Sequence, residues 1–181
     1  MYKYLKNQNQ DGFVPNRLAF IYGNVKPDMN ELVWLKHNYQ ETRHFYFEHL
    51  EVAKNNHLSI NQRSVALGVI SHFICDYFCK YHTKDVYAKK SLYHHFIYEF
   101  KLHIYIKNQL RKNLQENPIP MFRRNLNISE QISDYLEQEE SLALDYSYTI
   151  ETLKKLVSQV TRIHMETAET FFETCPNQVS A

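Results

Sequence analysis

Apolar residues recur every three or four positions along most of this chain, the 3.6-residue period of an amphipathic helix. The clearest stripe is Ile150, Leu153, Leu156, Val157, Val160 and Ile163, which predicts a helix from about Ser141 to Phe172. A shorter one is expected before it, from Ile128 to Gln138, and Asn117, Pro118 and Pro120 mark a loop. Upstream, a helix over Ser91–Glu116 carries His95, Glu99, Leu102 and Ile106. Ser59 is placed to cap another, in which Val65, Val69, His72, Phe73 and Asp76 share a face. Further helices are expected over about 40–55 and 30–38. Pro15 opens a first one through Leu18, Phe20 and Ile21, stopped by Gly23 and Pro27. Asp28, directly after Pro27, is then expected in a turn or at a helix N-cap. No segment alternates with the period of two that a half-buried strand needs. The reading is a single all-α domain over residues 1–181, a bundle of about seven helices.

Composition narrows this without redirecting it. The chain has 181 residues, 44% apolar and 23% charged, with a formal net charge of +1, which is a globular balance rather than a disordered one. Three Gly and five Pro suit long helices with few tight turns. Near neutrality offers no broad basic field for nucleic acid. There is no apolar run long enough for a secretory signal or a membrane span, so the expected location is the cytoplasm, without stable membrane insertion. Cys75, Cys79 and Cys175 have neither an even count nor the CxxC redox spacing, and are read as packing thiols.

The chemistry is concentrated in two stretches, HFICDYFCKYH from His72 to His82 and HHFIYE ending at Glu99. Burying unpartnered polar groups among such aromatic residues costs several kcal/mol. Either these side chains satisfy one another, or a cation sits between them. His72 with Asp76, and His95 with Glu99, are i, i+4 pairs, each pointing from one helix face. Two such pairs on neighbouring helices can close around a metal. His82 lies about 240° round an ideal helix from Asp76 and joins that face only if the helix ends or bends near Tyr81. His103 extends the second pair by one turn, where it could orient a ligand.

The segment ALGVISHFICDYFCKYH followed by HHFIYE resembles the bacterial zinc-dependent phospholipase C family, which carries a His-x3-Asp-x5-His run, a short loop, then His-x3-Glu. Upstream, IYGNVKPDMNELVWLKHNYQET is similar to the element that in the family precedes a ligand histidine. The resemblance spans about residues 17–105. It implies the all-α phospholipase C and single-strand nuclease type of fold, with up to three zinc ions in a cleft. By resemblance Asp28, His37, His72 and Asp76 would hold one metal, with His44 as the alternative to His37 and Asp76 as a bridge. His82, His95 and Glu99 would hold a second. Asp28 would also orient or accept a proton from the attacking water. Imidazole and carboxylate suit zinc, and iron, nickel or manganese also accept them. The implied substrate is a phosphate ester, a small molecule or a phospholipid headgroup. A nuclease or nucleotidase on the same fold is the alternative enzyme. In secreted members an early histidine helps hold the third metal; no histidine precedes His37 here, and Asn16 stands near that place. A metal-binding but inactive protein is the alternative outside enzymology. Tyr22, Tyr46, Tyr77 and Phe78 are candidate cleft residues.

Overall fold

The computed structural model describes residues 14–29, 37–83, 92–113 and 127–174. Among these residues there are seven helices and no strand: α1 (Arg17–Met29), α2 (Tyr39–Lys54), α3 (Ile60–Tyr77), α4 (Lys80–Thr83), α5 (Leu92–Asn113), α6 (Ile128–Glu137) and α7 (Leu142–Thr174). The all-α reading holds, and α2, α3, α5, α6 and α7 fall within a few residues of their expected ends. The helix expected over 30–38 and the loop at Asn117–Pro120 lie largely or wholly outside the described residues, as does Cys175. Among the described residues no helix is long and apolar enough to cross a membrane.

Local chemistry explains where the helices begin. Asn16 caps α1, its side-chain oxygen accepting from the N–H groups of Leu18 and Ala19 at 3.0 and 3.2 Å. Its own N–H donates to Ser64 Oγ at 2.8 Å. At the start of α3, Ser59 and Gln62 exchange backbone and side-chain bonds in a capping box. Asn127 and Glu130 do the same for α6, and the Ser141 hydroxyl accepts from Leu144 N–H at the start of α7.

One expected stop is wrong. α1 runs through Gly23 and Pro27 to Met29, so Asp28 lies in a last helical turn rather than in a turn or at an N-cap. Pro27 removes one N–H from the ladder so near the end that the helix survives it. Gly23 serves close approach, not termination. A Cβ on Gly23 would fall against the Val65 carbonyl, and one on Gly68 would lie 2.8 Å from both Asn24 N and Gly23 Cα. Both obstacles are backbone, so α1 and α3 cross in direct contact at two residues that must lack a Cβ.

The chain forms two compact units. The described residues of the first come from 14–29, 44–72 and 154–174, and those of the second from 37–43, 73–83, 92–113 and 127–153. In the first, Phe20, Tyr46, Leu50, Ala53, Leu67, Ile70, Leu156 and Val160 are buried. In the second, Phe73, Ile74, Tyr77, Phe78, Ile132, Tyr135, Tyr146, Tyr148 and Leu153 are buried. α3 is covered on nearly all sides, not along one stripe, which is why its apolar positions run almost continuously. Tyr46, Tyr77 and Phe78, expected in a cleft, are therefore buried core residues, while Tyr22 is exposed. The Tyr77 hydroxyl pairs with Thr42 Oγ1 at 2.9 Å inside the second unit.

Candidate metal centre

In the first unit the Gly23–Gly68 crossing carries one pair of candidate ligands. Asp28 is five residues beyond Gly23 and His72 four beyond Gly68, each about one turn from the crossing. Asp28 Oδ1 lies 3.6 Å from His72 Nε2, with the histidine largely buried and the aspartate open to solvent. Asn16 is occupied otherwise. Its side-chain oxygen, the atom a metal would use, is committed to capping α1.

The second unit holds the larger group. α3 ends at Tyr77, Phe78 and Cys79 leave the helix, and the single turn α4 restarts at Lys80. This break comes a few residues earlier than the bend expected near Tyr81, and it is what brings His82 back toward Asp76. His82 Nε2 lies 3.7 Å from Asp76 Oδ1, while Asp76 Oδ2 lies 3.0 Å from His37 Nδ1. The two oxygens of one carboxylate thus face two different histidines. His37 is buried, edge-on to Phe73 and parallel to the His82 ring at 6.1 Å between centroids. His44, the alternative, is exposed and lies against Phe45.

α5 supplies the other two candidates. His95 Nε2 lies 2.8 Å from Glu99 Oε1 and 3.2 Å from His82 Nε2, and His82 Nε2 lies 3.1 Å from the same Glu99 oxygen. Zinc bonds of about 2.0–2.1 Å in a tetrahedron put neighbouring donor atoms roughly 3.3 Å apart, so these three atoms have near-tetrahedral edges. Two imidazole nitrogens facing each other leave room for one proton between them, and a shared cation relieves that conflict. The donor set fits zinc. Glu99 is held below the ordinary carboxylate range, first by its hydrogen bond with His82, with the nearby His95 and His82 charges adding and burial opposing.

That depression has a sign. A lowered folded pKa stabilises above the unfolded value and the contribution disappears as pH falls through the folded one. Glu99→Gln is expected to flatten the stability loss of the metal-free protein below pH 4.5, the ordinary value for glutamate. Urea midpoints across an acid series check this; parallel curves for variant and parent would refute it.

Cys79 is the residue that sequence reasoning missed. It is buried, and its thiol, His82 and Glu99 offer ligand atoms all within 4.8 Å of one another. Burial, ahead of the neighbouring carboxylates, pushes its pKa up, so the metal-free group is a neutral thiol. The available signal was its i, i+3 spacing to His82. Cys75 is exposed rather than packed. His103 is exposed as well.

The family model for zinc-dependent phospholipase C matches residues 2–170. The chain belongs to the zinc-dependent phospholipase C family. The match continues past residue 105, where the motif resemblance ends, so the helical carboxyl-terminal third is part of the family's sequence too. Comparison with curated proteins and with solved structures returns no match. Zinc is the metal the family's description carries, and the His and carboxylate groups above are donors that zinc accepts.

Proposed function

We propose that this member of the zinc-dependent phospholipase C family is a phosphoesterase that hydrolyses a phosphodiester or phosphomonoester with a metal-activated water. A phospholipid headgroup is the substrate type that the family's description suggests. The observation that carries the reading is Asp76, whose oxygens face His37 on one side and His82 on the other. That is what a carboxylate joining two metals would do. His72 and His37 are the partners proposed with Asp28 and Asp76 for one zinc, and His82, His95 and Glu99 for the other. Zinc bound there would offset the negative charge of a phosphate ester and lower the pKa of a bound water toward neutrality.

The chain's own residues have separate tasks. Asp76 offers one oxygen toward His37 and the other toward His82. Glu99 and the two imidazoles facing it would offer a zinc ion one carboxylate and two nitrogen donors. Asp28 is largely open to solvent, so it can orient the attacking water and accept its proton.

A second reading is favoured by Asn16. With its side-chain oxygen capping α1, Asn16 does not serve a further zinc, and a metal-binding but catalytically silent protein is the alternative. Metal content separates both readings from one in which these side chains merely pair with one another. The purified protein is expected to bind at least two equivalents of zinc, with His72→Ala and His95→Ala each losing a different one. Hydrolysis of p-nitrophenyl phosphodiesters and monoesters by the loaded protein then distinguishes enzyme from silent relative. No zinc uptake at all would leave these side chains as mutually satisfied polar pairs.

A further inference from the structure

The helix that carries His95 and Glu99 is poorly anchored by apolar burial. No described residue of α5 is fully buried, and Tyr93, Phe96, Phe100 and Ile104 are from 42% to 69% exposed. A pair of ligands needs its helix held in roll and height to a fraction of an ångström. Beside the Tyr105–Tyr146 ring contact at 5.9 Å, the hold among the described residues comes from polar groups.

Asp145 supplies it. The residue is fully buried in the first turn of α7, and its carboxylate accepts the Tyr98 hydroxyl at 2.5 Å and the Tyr135 hydroxyl at 2.8 Å. It also accepts from the backbone N–H of Lys80. Tyr98 is on α5, next to Glu99 and one turn from His95. Lys80 opens α4, two residues before His82. One carboxylate therefore ties together the two segments that bear all three donors of one candidate zinc site. Aromatic stacking completes the link. The Tyr81 ring lies parallel to His95 at 5.2 Å and packs on Tyr98 at 5.1 Å, while the Lys80 ammonium sits over the Tyr98 ring at 4.5 Å and pairs with Glu140.

We propose that Asp145, through Tyr98 and the Lys80 backbone, is the positioning residue of the His82–His95–Glu99 site. It touches no ligand itself. Burial raises the Asp145 pKa, and the hydrogen bonds from the two tyrosines and Lys80 offset this only in part, so the geometry of those bonds rather than its charge carries the role. A purely stabilising pin would need only one of these partners. Here the partners diverge: Tyr135 on α6 leads away from the site, whereas Tyr98 and Lys80 lead into it.

That divergence makes the proposal testable, and it rests on the two-site reading given above. Zinc affinities are measured by chelator competition, with cobalt absorption as the report on coordination geometry and thermal melts as the report on folding. His95→Ala identifies the equivalent that belongs to this site. Asp145→Asn and Tyr98→Phe are expected to weaken that equivalent about tenfold, the low end of the cost of losing a partner bonded directly to a ligand, since they act one step further out. The other equivalent should stay within about twofold. Tyr135→Phe is the control, since it removes a bond to Asp145 without touching α4 or α5. It should lower the melting temperature about as much as Tyr98→Phe while leaving both affinities alone. Equal, unselective effects of the two phenylalanine variants, or unchanged affinity in Tyr98→Phe, would overturn the positioning role. A parent protein that takes up no zinc assignable to His95 would overturn the two-site reading itself, and this inference with it.

Discussion

Asp76→Asn is expected to cost both zinc equivalents and about a thousandfold or more in phosphoester hydrolysis, roughly 4 kcal/mol of transition-state stabilisation. The substitution keeps the shape of the side chain and removes one anionic oxygen together with the net charge. Because one oxygen faces His37 and the other His82, neither group of donors escapes the change. Most single-ligand variants should behave differently: His72→Ala or His95→Ala removes one equivalent and leaves the other measurable. Side-by-side metal analysis of the three purified variants decides the matter. An Asp76→Asn protein that melts like its parent when metal-free, yet retains one zinc at parental affinity, would mean that Asp76 serves a single metal.

The second large effect is structural and reaches the site indirectly. Gly68→Ala would drive a methyl group into the α1 backbone, 2.8 Å from Asn24 N and Gly23 Cα. No rotamer change relieves a clash with backbone, so the helices must separate. The expected loss is about 3 kcal/mol or more, a large share of the ~5–15 kcal/mol that holds a typical domain folded. A fall in melting temperature of about 10 °C is the corresponding shift for a chain of this size. Asp28 and His72 stand about one turn past the crossing, so the zinc equivalent proposed for them should weaken before the one proposed for His95. Calorimetry with zinc titration tests both halves. Parental stability in Gly68→Ala would show that the helices do not cross so closely.

The helices were legible because their signals are local. Apolar spacing and the Ser59 cap each act within a few positions, and the observed α2, α3, α5, α6 and α7 follow them closely. The first helix was misread because Gly23 and Pro27 have two meanings. Locally they read as terminators; in the fold Gly23 is required by the backbone of α3 and Pro27 falls where a missing N–H costs little. The His95–Glu99 contact was legible for a similar reason: an i, i+4 pair is geometry within one helix. His82 needed a break in the helix, and the break came at Phe78 and Cys79, whose buried side chains are held by residues distant in sequence, as in the packing of Phe78 on Tyr135 and Tyr148.

Periodicity and spacing were therefore enough for the helical class and the His95–Glu99 pair, while the family came from the resemblance of two motifs and the family-model match. Tertiary packing alone decided that His37 rather than His44 meets Asp76, that Cys79 lies within reach of His82 and Glu99, and that Asp145 joins α4 to α5. These pairings link positions far apart in the chain or on separate elements. They depend on which side chains become buried together, and no local period encodes that. A carboxylate or thiol acquires its chemistry from the groups that exclude water around it, and those groups are chosen by the fold.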